Sequence, residues 1–199
     1  EAAVVCDAVA TPLKVIKKAR ISSFDKVGVI GAGGGLGIHM LKMLKLNNIS
    51  TIGIDTKTEK FDVCNEIGAE FSVSPMENDL NNKITDYTQG NDLDVVIDFV
   101  SSKSSLELGA SILGKGGRLV TLGGSGEQFL ANSADMLVKE LELIGSRYCT
   151  KQELKESLDL YARGLIKPLV SHKTDFNGAD DLHNKIETGD ITGRAGILI

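Results

Sequence analysis

The chain has 199 residues, 42% of them hydrophobic and 25% charged, with a formal net charge of −5. That size allows one or two domains with a substantial core, and the acidic balance argues against a nucleic-acid surface. Aromatic residues make up 5% with no tryptophan, so stacking platforms for single strands are not expected, and the longest apolar runs are too short to span a bilayer.

The three cysteines, Cys6, Cys64 and Cys149, are scattered and odd in number. They fit a reducing cytoplasm better than a disulfide framework. The chain opens on Glu1 without a basic segment and a long apolar core, so no signal peptide is expected. The lack of an initiator methionine suggests a processed product or a piece of a longer protein.

Residues 1–23 read as a lead-in. Leu13, Ile16 and Ile21 alternate with Lys14, Lys17, Lys18 and Arg20 in a short amphipathic helix, with Thr11 as its N-cap and Pro12 in its first turn. From Lys26 onward strands alternate with helices. Strands are expected over 26–31, 50–54, 70–73, 93–100, 117–122 and 141–146, and helices over 35–46, 58–67, 78–89, 103–113 and 133–139. In the first of these helices Leu36, Met40, Met43 and Leu44 share a face. The run DVVIDFV at 94–100 has the continuous apolar character of a strand covered on both faces.

This rhythm predicts right-handed βαβ units and an α/β fold, a Rossmann-type doubly wound parallel sheet of six strands. After residue 149 the pattern changes to a helix over 151–163, with Leu154, Leu158 and Tyr161 on one face. An apolar run at Leu169 and Val170, a helix over 179–187 and a closing strand over 195–199 follow. These pieces do not continue the six-strand count and read as part of another domain. The expected division is therefore 1–23, 24–150 and 151–199.

The first strand runs into Gly31-Ala32-Gly33-Gly34-Gly35-Leu36-Gly37, five glycines in seven residues. A strand that turns through glycines into a helix aims unpaired first-turn N–H groups and the positive end of the helix dipole at an anion. The strict G-x-G-x-x-G spacing fails, because counting from Gly31 puts Leu36 at the sixth position. Relaxed versions ending on Gly37 fit, and a glycine-rich surface loop is the plainer alternative. Asp55 closes the second strand eighteen residues beyond Gly37. An acid there accepts hydrogen bonds from ribose hydroxyls and repels a 2′-phosphate, whereas elsewhere it is a solvated turn residue. Together the two features predict a dinucleotide site that takes NAD rather than NADP, although Lys57 and Lys60 could meet a phosphate.

The runs VIGAGGGLG at 29–37, IGID at 52–55, DVVID at 94–98, GGRLVTLG at 116–123 and ITGRAGI at 191–197 resemble the medium-chain dehydrogenase/reductase family, in particular its zinc-containing alcohol dehydrogenases of archaeal type. The resemblance covers essentially the whole chain. In that family a GroES-like catalytic domain precedes the nucleotide domain and the chain's end returns to it, so nearly all of the N-terminal catalytic domain is missing from these residues.

The resemblance implies that Gly31 and Gly33, Gly34, Gly35 and Leu36 hold the cofactor's pyrophosphate, and that Asp55 and Lys60 bind the adenosine ribose. Val100 and Ser101, with Leu122 and Gly123, would border the nicotinamide. Ser146 and Tyr148, within GSRY at 145–148, fall in the segment that grips its carboxamide. Arg194 falls where the family often has a pyrophosphate-binding arginine, the alternative being a solvated arginine beside a terminal strand. The family's third ligand to its catalytic zinc is a cysteine four residues before a threonine. Counting back from Thr11 reaches Asp7, so a carboxylate replaces the thiolate there. Zinc accepts carboxylate oxygen, but one ligand cannot hold it, and zinc is expected in the full-length enzyme only.

Cys6 reads as a buried apolar thiol. His39 could lean toward the phosphates or lie at the surface. His172, His183, Cys64 and Cys149 are given no role, and no catalytic residue is assigned. The implied function is the NAD-binding portion of an oxidoreductase that passes hydride between an alcohol or carbonyl and NAD, inactive as this piece alone and oligomeric as a homodimer or homotetramer. Two alternatives stand beside it. One is a zinc-independent quinone or enoyl reductase of the same superfamily, which Asp7 keeps open. The other is a non-catalytic NAD-sensing domain, which would need neither Thr11 nor the closing Gly193-Arg194 strand.

Overall fold

The computed structural model describes residues 2–198; Glu1 and Ile199, the end of the expected closing strand, lie outside the described residues. The chain enters through one helical stretch made of α1 (Ala2–Val4), a π-helical segment over Val5–Val9, and α2 (Ala10–Lys18). Pro12 lacks an N–H and its ring crowds the carbonyl four residues back, at Ala8. The wider π register sits on that turn and accommodates it. Helix therefore continues through Thr11, which is buried and does not cap it. Its hydroxyl instead donates to Asp7 Oδ1 at 3.1 Å.

Six strands follow: β1 (Lys26–Ile30), β2 (Ser50–Ile54), β3 (Phe71–Val73), β4 (Leu93–Asp98), β5 (Leu113–Thr121) and β6 (Glu142–Gly145). They form one sheet in the order β3-β2-β1-β4-β5-β6, every ladder parallel. The connections carry α3 (Gly37–Leu46), α4 (Phe61–Ile67), α5 (Leu80–Thr88), α6 (Lys103–Ser111) and α7 (Ser133–Lys139). Alternate residues of the central strands reach opposite layers. Val27, Val29, Val95 and Ile97 pack with Met40, Leu41 and Leu44 of α3 and with Val9 and Val15 of the lead-in. Ile30, Ile52 and Val96 pack with Ile84 of α5 and Leu106 of α6. Both faces of the sheet are thus covered, which is why the central strands are apolar throughout. Each such side chain contributes roughly 1.5–3 kcal/mol by burial.

Three of the boundaries that differ from expectation have local reasons. β4 stops at Asp98, because its carboxylate accepts the Val100 and Ser101 N–H groups at 2.8 and 2.9 Å and pulls the chain out of the ladder. β5 begins at Leu113, which pairs with Leu93 before a register shift, so α6 ends early, at Ser111. Beyond β6, α8 (Lys151–Ala162) starts in a capping box between Thr150 and Glu153. β7 (Val170–Thr174) and β8 (Arg194–Ile197) then form a separate two-stranded parallel sheet with α9 (Ala179–Glu187) between them. Only the start of β7 was legible as an apolar run, since Ser171, His172 and Lys173 break it. No helix among the described residues is long and apolar enough to cross a membrane.

Candidate functional site

β1 pairs with β2 on one side and β4 on the other, so chain connections leave it in opposite directions. In such sheets the crevice beyond the strands' carboxyl ends, at this switch point, is where ligands bind. The glycine turn occupies it. Gly31 has φ +75°, and a Cβ on Gly37 would lie 2.1 Å from the Gly31 carbonyl oxygen, so the turn itself requires glycine at both. A Cβ on Gly33 would meet the Lys60 side chain at 2.5 Å, and one on Gly35 would meet Arg194 Nε at 2.9 Å. These two glycines let long cationic side chains lie against the turn. No side chain caps α3, but the Gly34 N–H donates to the Gly31 carbonyl at 3.0 Å and the Ile38 N–H to that of Gly34 at 3.1 Å, so Gly34, expected to offer its N–H to a pyrophosphate, closes the turn instead and leaves that part to Gly35 and Leu36.

Asp55 is nearly buried. It accepts the Gly33 N–H on Oδ2 at 2.8 Å and the Lys57 N–H on Oδ1 at 3.0 Å. Each oxygen keeps a lone pair for a further donor. Lys60 is buried too, and its ammonium donates to the Ile191 carbonyl at 2.9 Å. Lys57 reaches Asp190 at 3.4 Å. Both lysines are therefore engaged by the segment before β8 rather than free beside Asp55.

Two cavities flank the turn. The first, about 310 Å³, is lined by Gly31, Asp55, Thr56, Met76, Val100 and Ser104, among others. The second, about 400 Å³, is lined by Asp7, Leu36, Leu122, Gly123, Ser146 and Tyr148, together with Thr11, Gly124 and Arg147. Val100, expected beside Leu122 and Gly123, thus faces the Asp55 side instead. Ser101 lines neither cavity. It is buried, and its hydroxyl lies 2.7 Å from that of Thr121 and accepts the Gly123 N–H at 2.8 Å, so it holds the ends of β4 and β5 together. Thr56, Met76 and Ser104 carry no motif and were not singled out in the sequence.

The closing segment is tied directly to the turn. The Gly193 N–H donates to the Gly33 carbonyl at 3.2 Å, and the Arg194 N–H to that of Leu169 at 3.0 Å. Arg194 forms an ion pair with Asp7 at 2.5 Å through Nη2. Its Nε is buried with no partner among the described residues, and the buried Ser146 Oγ is likewise unpartnered. Orphaned buried polar atoms are uncommon and mark places that a ligand or water completes.

His39 is neither at the surface nor aimed at the turn's donors. It is fully buried, with Nδ1 2.7 Å from the Gly35 carbonyl oxygen, and Nε2 accepts the Leu169 N–H at 3.0 Å. That pairing fixes the neutral tautomer with its proton on Nδ1. Burial lowers its pKa from 6.5 to about 4. Cys6 is exposed, contrary to expectation, because the π segment turns it outward, whereas Cys64 is the buried thiol. Burial raises the Cys64 pKa to about 11, which leaves it unreactive.

Comparison with known proteins gives this geometry its relatives. An NAD-dependent alcohol dehydrogenase of Sulfurisphaera tokodaii is 27% identical over 185 residues, covering 92% of this chain and 53% of that protein. A D-arabinose 1-dehydrogenase (NADP(+)) of Saccharolobus solfataricus is 28% identical over 98% of this chain and 56% of its own length. The crystal structure of the alcohol dehydrogenase from Aeropyrum pernix superposes with a TM-score of 0.88 at 28% identity, covering 97% of this chain and 56% of that one. The chain thus spans about half the length of the curated relatives it matches. Residues 35–163 match the family described as zinc-binding dehydrogenase, and with that match covering more than half of its length the chain belongs to the zinc-binding dehydrogenases.

Proposed function

We propose that this chain is the NAD-binding portion of an alcohol dehydrogenase-like oxidoreductase. The observation that carries the reading is the glycine turn at the switch point, with Asp55 on one side and the unpartnered Arg194 Nε over the other. The residues fit the cofactor. The ribose hydroxyls of the adenosine half would meet Asp55 beside Gly31 and Val100, and the diphosphate would lie under Arg194 on the N–H groups of Gly35 and Leu36, those of Gly33 and Gly34 being taken by Asp55 and the Gly31 carbonyl. The nicotinamide half would enter the second cavity, where Leu122 and Gly123 form a wall and Ser146 and Tyr148 supply polar groups. When bound, NAD supplies hydride transfer, and the protein's part in this chain is to bind and orient it.

With Lys57 and Lys60 engaged elsewhere, the carboxylate of Asp55 dominates its cavity, which favours NAD over NADP. By the same reading, residues 24–150 are the cofactor domain, with 1–23 and 151–199 belonging to a catalytic domain. The substrate is an alcohol or carbonyl. The assembled enzyme is cytoplasmic and a homodimer or homotetramer, a reading supported by β6 at the sheet's edge beside exposed Leu137, Val138 and Leu143.

Zinc does not fit these residues. Among the described residues no group of three His, Cys, Asp or Glu side chains could hold a metal, and Asp7 is engaged by Arg194 and Thr11. Zinc is therefore assigned to the full-length enzyme only. The engagement of Asp7 also favours, as a second reading, a zinc-independent reductase of the same superfamily. Titration with NADH and NADPH, followed by fluorescence, tests the proposal. Micromolar NADH binding with weaker NADPH binding is expected, and binding of neither below millimolar would overturn it.

A further inference from the structure

The position four residues before Thr11 carries an acid whose partner is unambiguous. Asp7 is partly exposed, its side chain 47% accessible, and both its carboxylate oxygens are engaged, Oδ1 accepting from the Thr11 hydroxyl and Oδ2 from Arg194 Nη2. The arginine enters on β8, whose Arg194 N–H is fixed to the Leu169 carbonyl, and its side chain lies across Gly35. Its guanidinium is thus held at one end by Asp7, while Nε, buried and unpartnered, faces the glycine turn. Asp7 and Arg194 are 187 residues apart in sequence, and together they bridge the lead-in helix to the closing sheet over the turn.

We infer that Asp7 is a positioning residue for Arg194, which it holds in the orientation that presents Nε to the cofactor's diphosphate. This inference rests on the proposed cofactor site. A guanidinium presents its donors as a rigid fork, so fixing Nη2 on a carboxylate sets where the remaining donors point. Without the carboxylate, Arg194 must be ordered by the diphosphate itself, at the entropic cost of immobilising one rotamer-rich side chain. The opposite possibility is that Asp7 competes with the diphosphate for the guanidinium. In that case removing its charge would tighten binding. The two predict effects of opposite sign.

The test compares the 199-residue chain with Asp7→Asn, Asp7→Ala and Arg194→Lys by titration with NADH and by competition with ADP-ribose and AMP. Circular dichroism verifies that each variant is folded. Asp7→Ala should weaken NADH and ADP-ribose binding about 3- to 10-fold, the range expected for ordering one long side chain. Asp7→Asn, whose amide oxygen still accepts from Nη2, should stay within about 2-fold of the parent, a smaller loss than ordering the side chain costs. AMP, which lacks the second phosphate, should bind all variants alike. A global loss of structure would weaken all three ligands together.

Unchanged or tighter NADH binding by Asp7→Ala overturns the inference while leaving the cofactor site standing. Equal losses in Asn and Ala variants also overturn it, because the charge rather than the held geometry would then matter. Failure of the parent chain to bind NADH or ADP-ribose overturns the cofactor reading and this inference with it. Prior treatment with EDTA should leave the parent's NADH affinity unchanged. A loss on chelation that Asp7→Asn does not show would make Asp7 a metal ligand instead.

Discussion

The two cavities beside the glycine turn are held open by different means. Around the Asp55 cavity the polar groups are satisfied within the protein: Asp55 by the Gly33 and Lys57 amides, and Asp98 by Val100, Ser101 and the Ser105 hydroxyl at 2.7 Å. Its walls come from neighbouring strands and one helix of a single sheet. The second cavity draws on the lead-in helix and the loops after β5 and β6. Beside it, Ser146 Oγ and Arg194 Nε remain without partners. A satisfied network fixes a shape before any ligand arrives, whereas orphaned donors and acceptors mark polar contacts left for one. One half of the site is a finished mould, and the other is completed on binding.

The change with the largest expected effect acts on both halves. Gly37→Ala places a methyl 2.1 Å from the Gly31 carbonyl oxygen, and neither backbone segment can move without opening the turn. Urea denaturation should register a loss of about 4 kcal/mol or more, with NADH binding abolished. A loss within about 1 kcal/mol, ordinary for a surface change, would mean that the turn has slack the structure does not show.

Acidification probes the joint between the turn and the closing segment. The folded pKa of His39 is depressed from 6.5 to about 4. Its neutral form is therefore the native one, and its contribution is complete above about pH 6.5. As pH falls from there toward 4, the unfolded chain takes up the proton first, and stability should drop by about 3 kcal/mol. Protonation would also place an N–H on Nε2, against the Leu169 donor. In urea titrations at several pH values, His39→Gln should lack this part of the slope, so its stability gap to the parent should narrow as pH falls. A gap independent of pH would sink the assignment.

The smallest change touches the finished half alone. Asp55→Asn keeps an acceptor but removes the charge, so NADH binding should weaken about tenfold through the lost charge-assisted hydrogen bonds. NADPH should lose little or gain, compressing the preference between the two. An unchanged ratio of affinities would show that Asp55 does not select the cofactor.

What the sequence determined by itself is the part carried by local chemistry. The alternating apolar runs predict a doubly wound parallel sheet, and the glycine turn with Asp55 predicts the proposed nucleotide crevice, because hydrophobic period and turn geometry are short-range properties. Only the tertiary structure decided contacts between distant segments. It moved Val100 to the Asp55 side, gave Ser101 to the β4–β5 junction, buried His39 between Gly35 and Leu169, and bound Lys60 to Ile191. It also joined Asp7 to Arg194. Such pairings depend on where the closing sheet docks on the turn, and no spacing within either segment records that.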